Sequence, residues 1–198
     1  IKDATLDVTS FHINISNATS LGIYNFTPVL SNGNSYSSYN FTWQTGNGSF
    51  ADGIYFIRIH ANDTVNNTNA TTNMTVRVDN TAPAVAYNSP SGANINYSNG
   101  NVSFNVTVTD NLAGVASVVF QFSNGTNPFN LTAANQSGTW NVSLNITLAS
   151  TTGVLIADGN HTVTVFVNDT AGNTNNTQTL NFAVDRTPPA VAFVFPTR

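Results

Sequence analysis

The chain contains no cysteine and no glutamate, and only 14 of its 198 residues are charged. Without cysteine there is no disulfide framework and no thiol chemistry, and nothing is said about redox compartment. No run of 18 apolar residues occurs, which excludes a transmembrane helix, and no basic-then-apolar start resembles a signal peptide. An exported protein would stand here in mature or fragment form. The five cations, Lys2, Arg58, Arg77, Arg186 and Arg198, are scattered, so a basic nucleic-acid face is excluded. Charge at 7% is far below the usual share of about 25%. A surface so poor in ions needs another source of hydration.

Asparagine is that source. It occurs 32 times beside 45 Ser and Thr, so chance alone would give roughly seven Asn-x-Ser/Thr acceptors for N-glycans. There are 20: Asn14, Asn17, Asn25, Asn40, Asn47, Asn62, Asn66, Asn69, Asn73, Asn96, Asn101, Asn105, Asn124, Asn130, Asn135, Asn141, Asn145, Asn160, Asn168 and Asn175. One sequon is weak evidence. A nearly threefold excess over the chance number predicts covalent N-glycans.

Apolar residues alternate with period two through many short runs split by Gly, Asn, Asp and Pro, which predicts antiparallel strands with one face on a core. In Asn101–Thr109, Val102, Phe104, Val106 and Val108 take one face and Asn, Ser and Thr the other. From Asn141 to Leu148, Val142, Leu144, Ile146 and Leu148 face inward. Asn is a poor strand residue, so its outward placement sacrifices intrinsic preference, and glycosylation supplies a reason. Asn101 and Asn105, four residues apart on one face, stand roughly 13 Å from each other, room for two glycans.

The chain also repeats itself. At a shift of 106 residues, Asp52–Tyr87 aligns with Asp158–Phe193 without a gap, and 16 of 36 positions are identical. Phe11, Ile13 and Ile15 take the inward slots of Val118, Phe120 and Phe122. Roughly seven short strands per copy, with turn signals every 8 to 12 residues, predict an all-β chain of β-sandwiches. Asp158-Gly159, the run Val163–Asn173 and the segment Val184-Asp185-Arg186-Thr187-Pro188-Pro189 resemble the tandem immunoglobulin-like and fibronectin-III-like repeats of prokaryotic cell-surface proteins. The resemblance implies antiparallel Ig-like sandwiches: one over 1–79 without its first strands, one over 80–185, and 186–198 as the first strand of a following domain or a donor strand. It further implies stalks, adhesins, coats or accessory modules of secreted enzymes.

Eight of the nine Asp form four repeat-matched pairs, Asp3/Asp110, Asp52/Asp158, Asp63/Asp169 and Asp79/Asp185. Such placement predicts turn bonding, with Gly172 or Asn66 at positive φ. The sharper alternative is calcium at the junction, held by Asp79, Asp110 and Asp169 with carbonyl oxygens. Tyr55 fits a tyrosine corner, and His161 takes that slot in the second copy. His12, His60 and His161 do not recur between copies, and His60 reads as a surface residue. With no Cys, no Glu, no metal-spaced His pair and no glycine-rich phosphate loop, no enzyme is expected. Trp43 reads as core. Trp140 reads as core or edge before a sugar-stacking platform.

The first copy opens late, so the counterparts of 84–88 and 101–109 are missing, and 187–198 match the first strand of a third copy. A slice of a longer array accounts for this. Strand donation between copies is the alternative, with Val191, Phe193, Val194 and Phe195 as subunit contacts, because Ala190–Phe195 is apolar on both faces. The expected protein is a structural subunit of a heavily N-glycosylated extracellular filament or surface layer, on a cell surface that fits an archaeon. Its partners are copies of itself and its own glycans, without nucleic acid or a membrane span in this segment. Calcium is the one cofactor left open. An adhesin or carbohydrate-binding stalk, reading ligands through loops such as 124–139, is the rival.

Overall fold

Period-two alternation underlies the sixteen strands found among the described residues. The computed structural model describes residues 12–18, 20–26, 29–30, 39–46, 50–63, 65–71, 73–91, 95–124, 127–147 and 156–194, with backbone alone for 20–26, 29–30 and 39–40. Asn47, Phe195 and Asp3 therefore lie outside the described residues, as do the side chains of Asn25 and Asn40. Among the described residues no helix is long and apolar enough to cross a membrane. The chain divides into two units, Ile1–Thr81 and Ala82–Arg198.

In the first unit β1 (His12–Asn17), β2 (Ser20–Phe26), β5 (Gly53–Asn62), β6 (Thr68–Ala70) and β7 (Met74–Val78) make one antiparallel sheet. Two short strands, β3 (Val29–Leu30) and β4 (Tyr39–Asn40), pair separately. Ile13, Ile15, Tyr55 and Val78 are buried, with Phe41, Trp43, Phe50, Ile57 and Ile59 packed on them. Trp43 meets Phe50 and Tyr55 edge-on, its ring centroid 4.9 and 5.2 Å from theirs, so the expected core role holds.

In the second unit β8 (Ala84–Ser89), β10 (Asn101–Thr109), β13 (Ala134–Gln136) and β14 (Thr139–Asn145) form one sheet. The other contains β9 (Ile95–Tyr97), β11 (Val115–Ser123), β12 (Phe129–Thr132), β15 (Gly159–Asp169) and β16 (Thr174–Val184). Their inner faces share one core, from Phe104 and Val106 on the first sheet to Phe120, Phe122, Val163 and Val165 on the second, all at most 1% exposed. This is an all-β sandwich of immunoglobulin-like type.

Two details differ from the pattern read along the chain. The strand expected to run to Leu148 stops at Asn145, because the Asn145 side chain accepts a hydrogen bond from Thr147 N at 2.9 Å and turns the backbone. Ile146 is nevertheless fully buried. One pairing is parallel rather than antiparallel, β9 on β16. The chain leaves the first sheet at Ser89, and Pro90, which has no N–H to give a ladder, marks the crossing to the second.

Candidate functional site

The outward face of the β10–β14 pair is built by parity. Each inward Val, Phe or Leu forces its neighbours outward, and the antiparallel register sets them opposite one another. The rungs match in kind: Asn101 opposite Asn145, Ser103 opposite Ser143, Asn105 opposite Asn141, Thr107 opposite Thr139. Four sequon asparagines thus form a rectangle, about 5 Å across the strands and roughly 13 Å along them. Asn14 on β1 is the backbone register partner of Asn25 on β2. None of the sequon asparagines with a described side chain is buried. Asn66 sits in a left-handed turn at φ 65°, and Asn175 holds its own sequon's Thr177 through N–H and hydroxyl bonds of 3.0 and 2.9 Å.

The repeat-matched aspartates are the fixed points of each unit. Asp169 is 1% exposed, yet its Oδ1 accepts from Ala171, Gly172 and Asn173 N at 2.7–2.9 Å, and its Oδ2 from Asn173 Nδ2 at 2.8 Å. Burial pushes this carboxyl up, but the Asn173 amide and the three backbone donors outweigh it and hold the group below the usual carboxylate range. Gly172, at φ +97°, closes the turn. Asp63 repeats the arrangement with Val65 and Asn67 N at 3.0 and 2.7 Å, and Asn66 stands in Gly172's place.

Asp110 opens a second loop. Its Oδ2 accepts from Leu112 and Gly114 N at 3.1 and 2.6 Å. Its Oδ1 is buried, and among the described residues no donor reaches it. Thr170 ties this loop to the Asp169 turn, donating to Ala113 O at 2.7 Å and Gly114 O at 3.0 Å. The Asp110 and Asp169 carboxylates offer oxygens within 4.8 Å of each other. Asp79 closes the first unit, its Oδ1 accepting from Thr81 N at 3.1 Å.

The remaining pair latches the ends of β5 and β15. Asp52 accepts from Asn80 N at 2.7 Å and from the Thr81 hydroxyl. Asp158 accepts from Arg186 N and Thr187 Oγ1, and its Oδ1 pairs with Arg186 Nε at 2.7 Å. The Arg186 side-chain bond, then its backbone N–H, hold Asp158 below the ordinary carboxylate range. Arg186 also donates to the carbonyls of Ile146, at 3.1 Å, and Ile156. Asn80 does part of this in the first unit, reaching Phe50 O at 3.3 Å. In the sequence Arg186 stands as one of five scattered cations. The signal was present in the alignment, where two polar donors follow the matched Asp79 and Asp185.

Tyr55 makes the expected corner, its hydroxyl donating to Ala51 O at 2.8 Å. In the second unit His161 Nε2 reaches Ala157 O at 2.9 Å, and the ring stacks on Phe182 at 5.3 Å. An imidazole therefore closes the same corner as a phenol. Beside it lies a groove of about 570 Å³ whose rim carries the sequon residues Asn96, Asn124 and Asn160. Its aromatic wall, Phe182, is 3% exposed, so it offers no stacking face to a sugar. Trp140 packs against the core of the sandwich. Val191, Phe193 and Val194 are 89, 92 and 92% exposed, outside any strand.

Among curated protein sequences none matches the chain. Solved structures similar to it include the fibronectin(III)-like modules of CbhA from Clostridium thermocellum, 15% identical with a TM-score of 0.42, over 98% of this chain and 87% of that one. Dimeric latent PorU from Porphyromonas gingivalis is 15% identical with a TM-score of 0.37, over 92% of this chain. An engineered protein is 20% identical with a TM-score of 0.39, over 52% of this chain. The chain spans 17% of the PorU chain and 20% of the engineered one. Residues 91–186, which hold the core, the Asp110 and Asp169 loops and the Asp158–Arg186 latch, match the family model of the bacterial Ig-like domain.

Proposed function

We propose that this chain is a structural segment of an extracellular filament or surface layer whose Ig-like units carry N-glycans, rather than ionised side chains, on their outer faces. Domains of this kind are typically non-catalytic modules of surface proteins. The observation that carries the reading is the β10–β14 face, where sequon asparagines are registered in rows on the solvent side of a sheet that would otherwise use stronger strand formers. Sheet edges and exposed apolar strands invite pairing, and bulky sugar keeps such surfaces apart. Strand donation belongs to the same reading. Ala190–Val194 aligns with β8 in the repeat and exposes its apolar side chains, as a segment does that pairs with a unit of another copy.

Intact mass of native material before and after chemical deglycosylation tests the glycan sheath, and electron microscopy tests the assembly. A mass far above the 21.0 kDa polypeptide is expected. Ordered polymers should form with the full chain and not after removal of residues 187–198. A native mass equal to the polypeptide sinks the reading. Unchanged polymers after truncation sink strand donation alone.

We infer in addition that calcium is held where Asp110 meets Asp169. Two close carboxylates, one with a buried oxygen lacking a donor, suit a hard cation taking oxygen ligands. Chelation should lower the melting temperature in wild type and leave Asp110→Asn unmoved. Equal melting with calcium and with chelator would remove the ion from this account.

A further inference from the structure

We propose that the outer face of the first unit carries a two-histidine site for an imidazole-seeking transition-metal dication, built from His12 on β1 and His60 on β5. The residues are 48 positions apart, but the antiparallel register makes them direct partners across the strands. Ile13, Ile15, Ile57 and Ile59 face the core, so parity turns His12 and His60 to the same outer surface. Neither ring is buried.

Their spacing suits coordination. The ring centroids lie 4.8 Å apart, with the planes 4° from parallel. An ion bound at the usual 2.0–2.1 Å by one nitrogen of each ring, at an angle between 90° and 110°, places the centroids about 4.5–5.3 Å apart. The strands therefore need not move. Each ring turns about its terminal torsion, a soft one, to aim a nitrogen at a common point, and water fills the remaining positions.

Ligand chemistry sets the selectivity. Arg58, two residues before His60 and opposite Asn14, is a charged neighbour on this face, and its Nε donates to Thr71 O at 3.2 Å. On β6 the register partner of His60 is Ala70. Imidazole nitrogen suits borderline transition metals, whereas hard ions seek oxygen ligands. Copper(II) should bind most tightly, nickel and zinc less so, and calcium or magnesium not at all.

The second unit is an internal control. The equivalent rung there is Val119 opposite Phe166, an apolar pair with no ligand atoms. The site therefore belongs to one copy, independent of the repeated aspartate turns and of the glycan reading.

Calorimetric titration of the purified chain with copper(II), nickel(II) or zinc(II) at pH 7.5, with electron paramagnetic resonance of the copper complex, tests this. One ion per chain is expected, with two imidazole nitrogens in the spectrum. Either His12→Gln or His60→Gln should weaken binding at least tenfold and leave one nitrogen, and the double variant should be little worse than either. Equal affinity in wild type and both single variants overturns the proposal, as does the absence of binding at millimolar ion in a wild type that remains folded.

Discussion

Asp169→Ala should destabilise the second unit by about 3–5 kcal/mol. The carboxylate accepts four hydrogen bonds in a place almost closed to water, and three of their donors are backbone N–H groups of one turn. Truncation leaves those donors without an acceptor, and the turn must either keep the loss or open to solvent. Opening would also weaken Thr170's two bonds to the Asp110 loop. Asp169→Asn keeps the shape and one acceptor oxygen, so about half of the loss is expected. Asp63→Ala should cost less, because that turn supplies fewer donors and its carboxylate is more exposed. Urea midpoints at constant slope measure all three. A loss under about 1 kcal/mol for Asp169→Ala would show that the turn folds without its carboxylate.

The sign of the acid response follows from the same bonds. The folded pKa of Asp169 is depressed, so its contribution is complete above the unfolded value near 3.9. It is lost as pH falls through the lower folded value. Wild type should therefore keep this contribution at pH 5 and shed it below about 4, while Asp169→Asn shows a flatter acid limb.

How much of this could be read along the chain depended on whether a feature was local. Val102, Phe104, Val106 and Val108 announced a half-buried strand because side-chain alternation needs no partner to be seen. The aspartate turns were legible for a related reason. Their donors lie two to four residues away, and the repeat showed each twice. Positive φ at Asn66 and Gly172 followed from the same comparison. Features that depend on strand register were not legible. His12 and His60 do not have the spacing of any linear metal motif, and only the pairing of β1 with β5 sets them face to face. The parallel contact of β9 with β16 was hidden similarly, since alternation does not state the direction of a neighbour. The His161 slot was identified, but the imidazole's reach to Ala157 O needed coordinates.

The face that carries the registered sequon asparagines depends on the core beneath it, because parity allows one only with the other. A one-residue slip of β10 would bury Asn101 and Asn105 and expose Phe104. That slip is prevented by the inward side chains, which are large and aromatic where the two sheets meet. The acceptor rows are consequently as stable as the packing behind them.

Phe104→Ala tests that dependence and should cost the second unit about 3–5 kcal/mol. Phe104 is fully buried on β10, and its ring meets Phe122 at 5.0 Å and Phe182 at 5.3 Å, both on the opposite sheet. Phe122 in turn stacks on Phe129, and Phe182 on His161. Removing the ring deletes two aromatic contacts, each contributing about 0.5–1.5 kcal/mol beyond area, and leaves a void between sheets whose ladders limit collapse. Phe104→Leu refills much of the space and should lose less than half as much. Denaturant unfolding gives the magnitude, and amide exchange along β10 and β14 gives the consequence. Protection of the Asn101–Asn145 and Asn105–Asn141 rungs should fall in Phe104→Ala in proportion to the lost stability. Full stability loss with unchanged protection of those rungs would mean that the acceptor face is held by its own cross-strand pairs and not by the core.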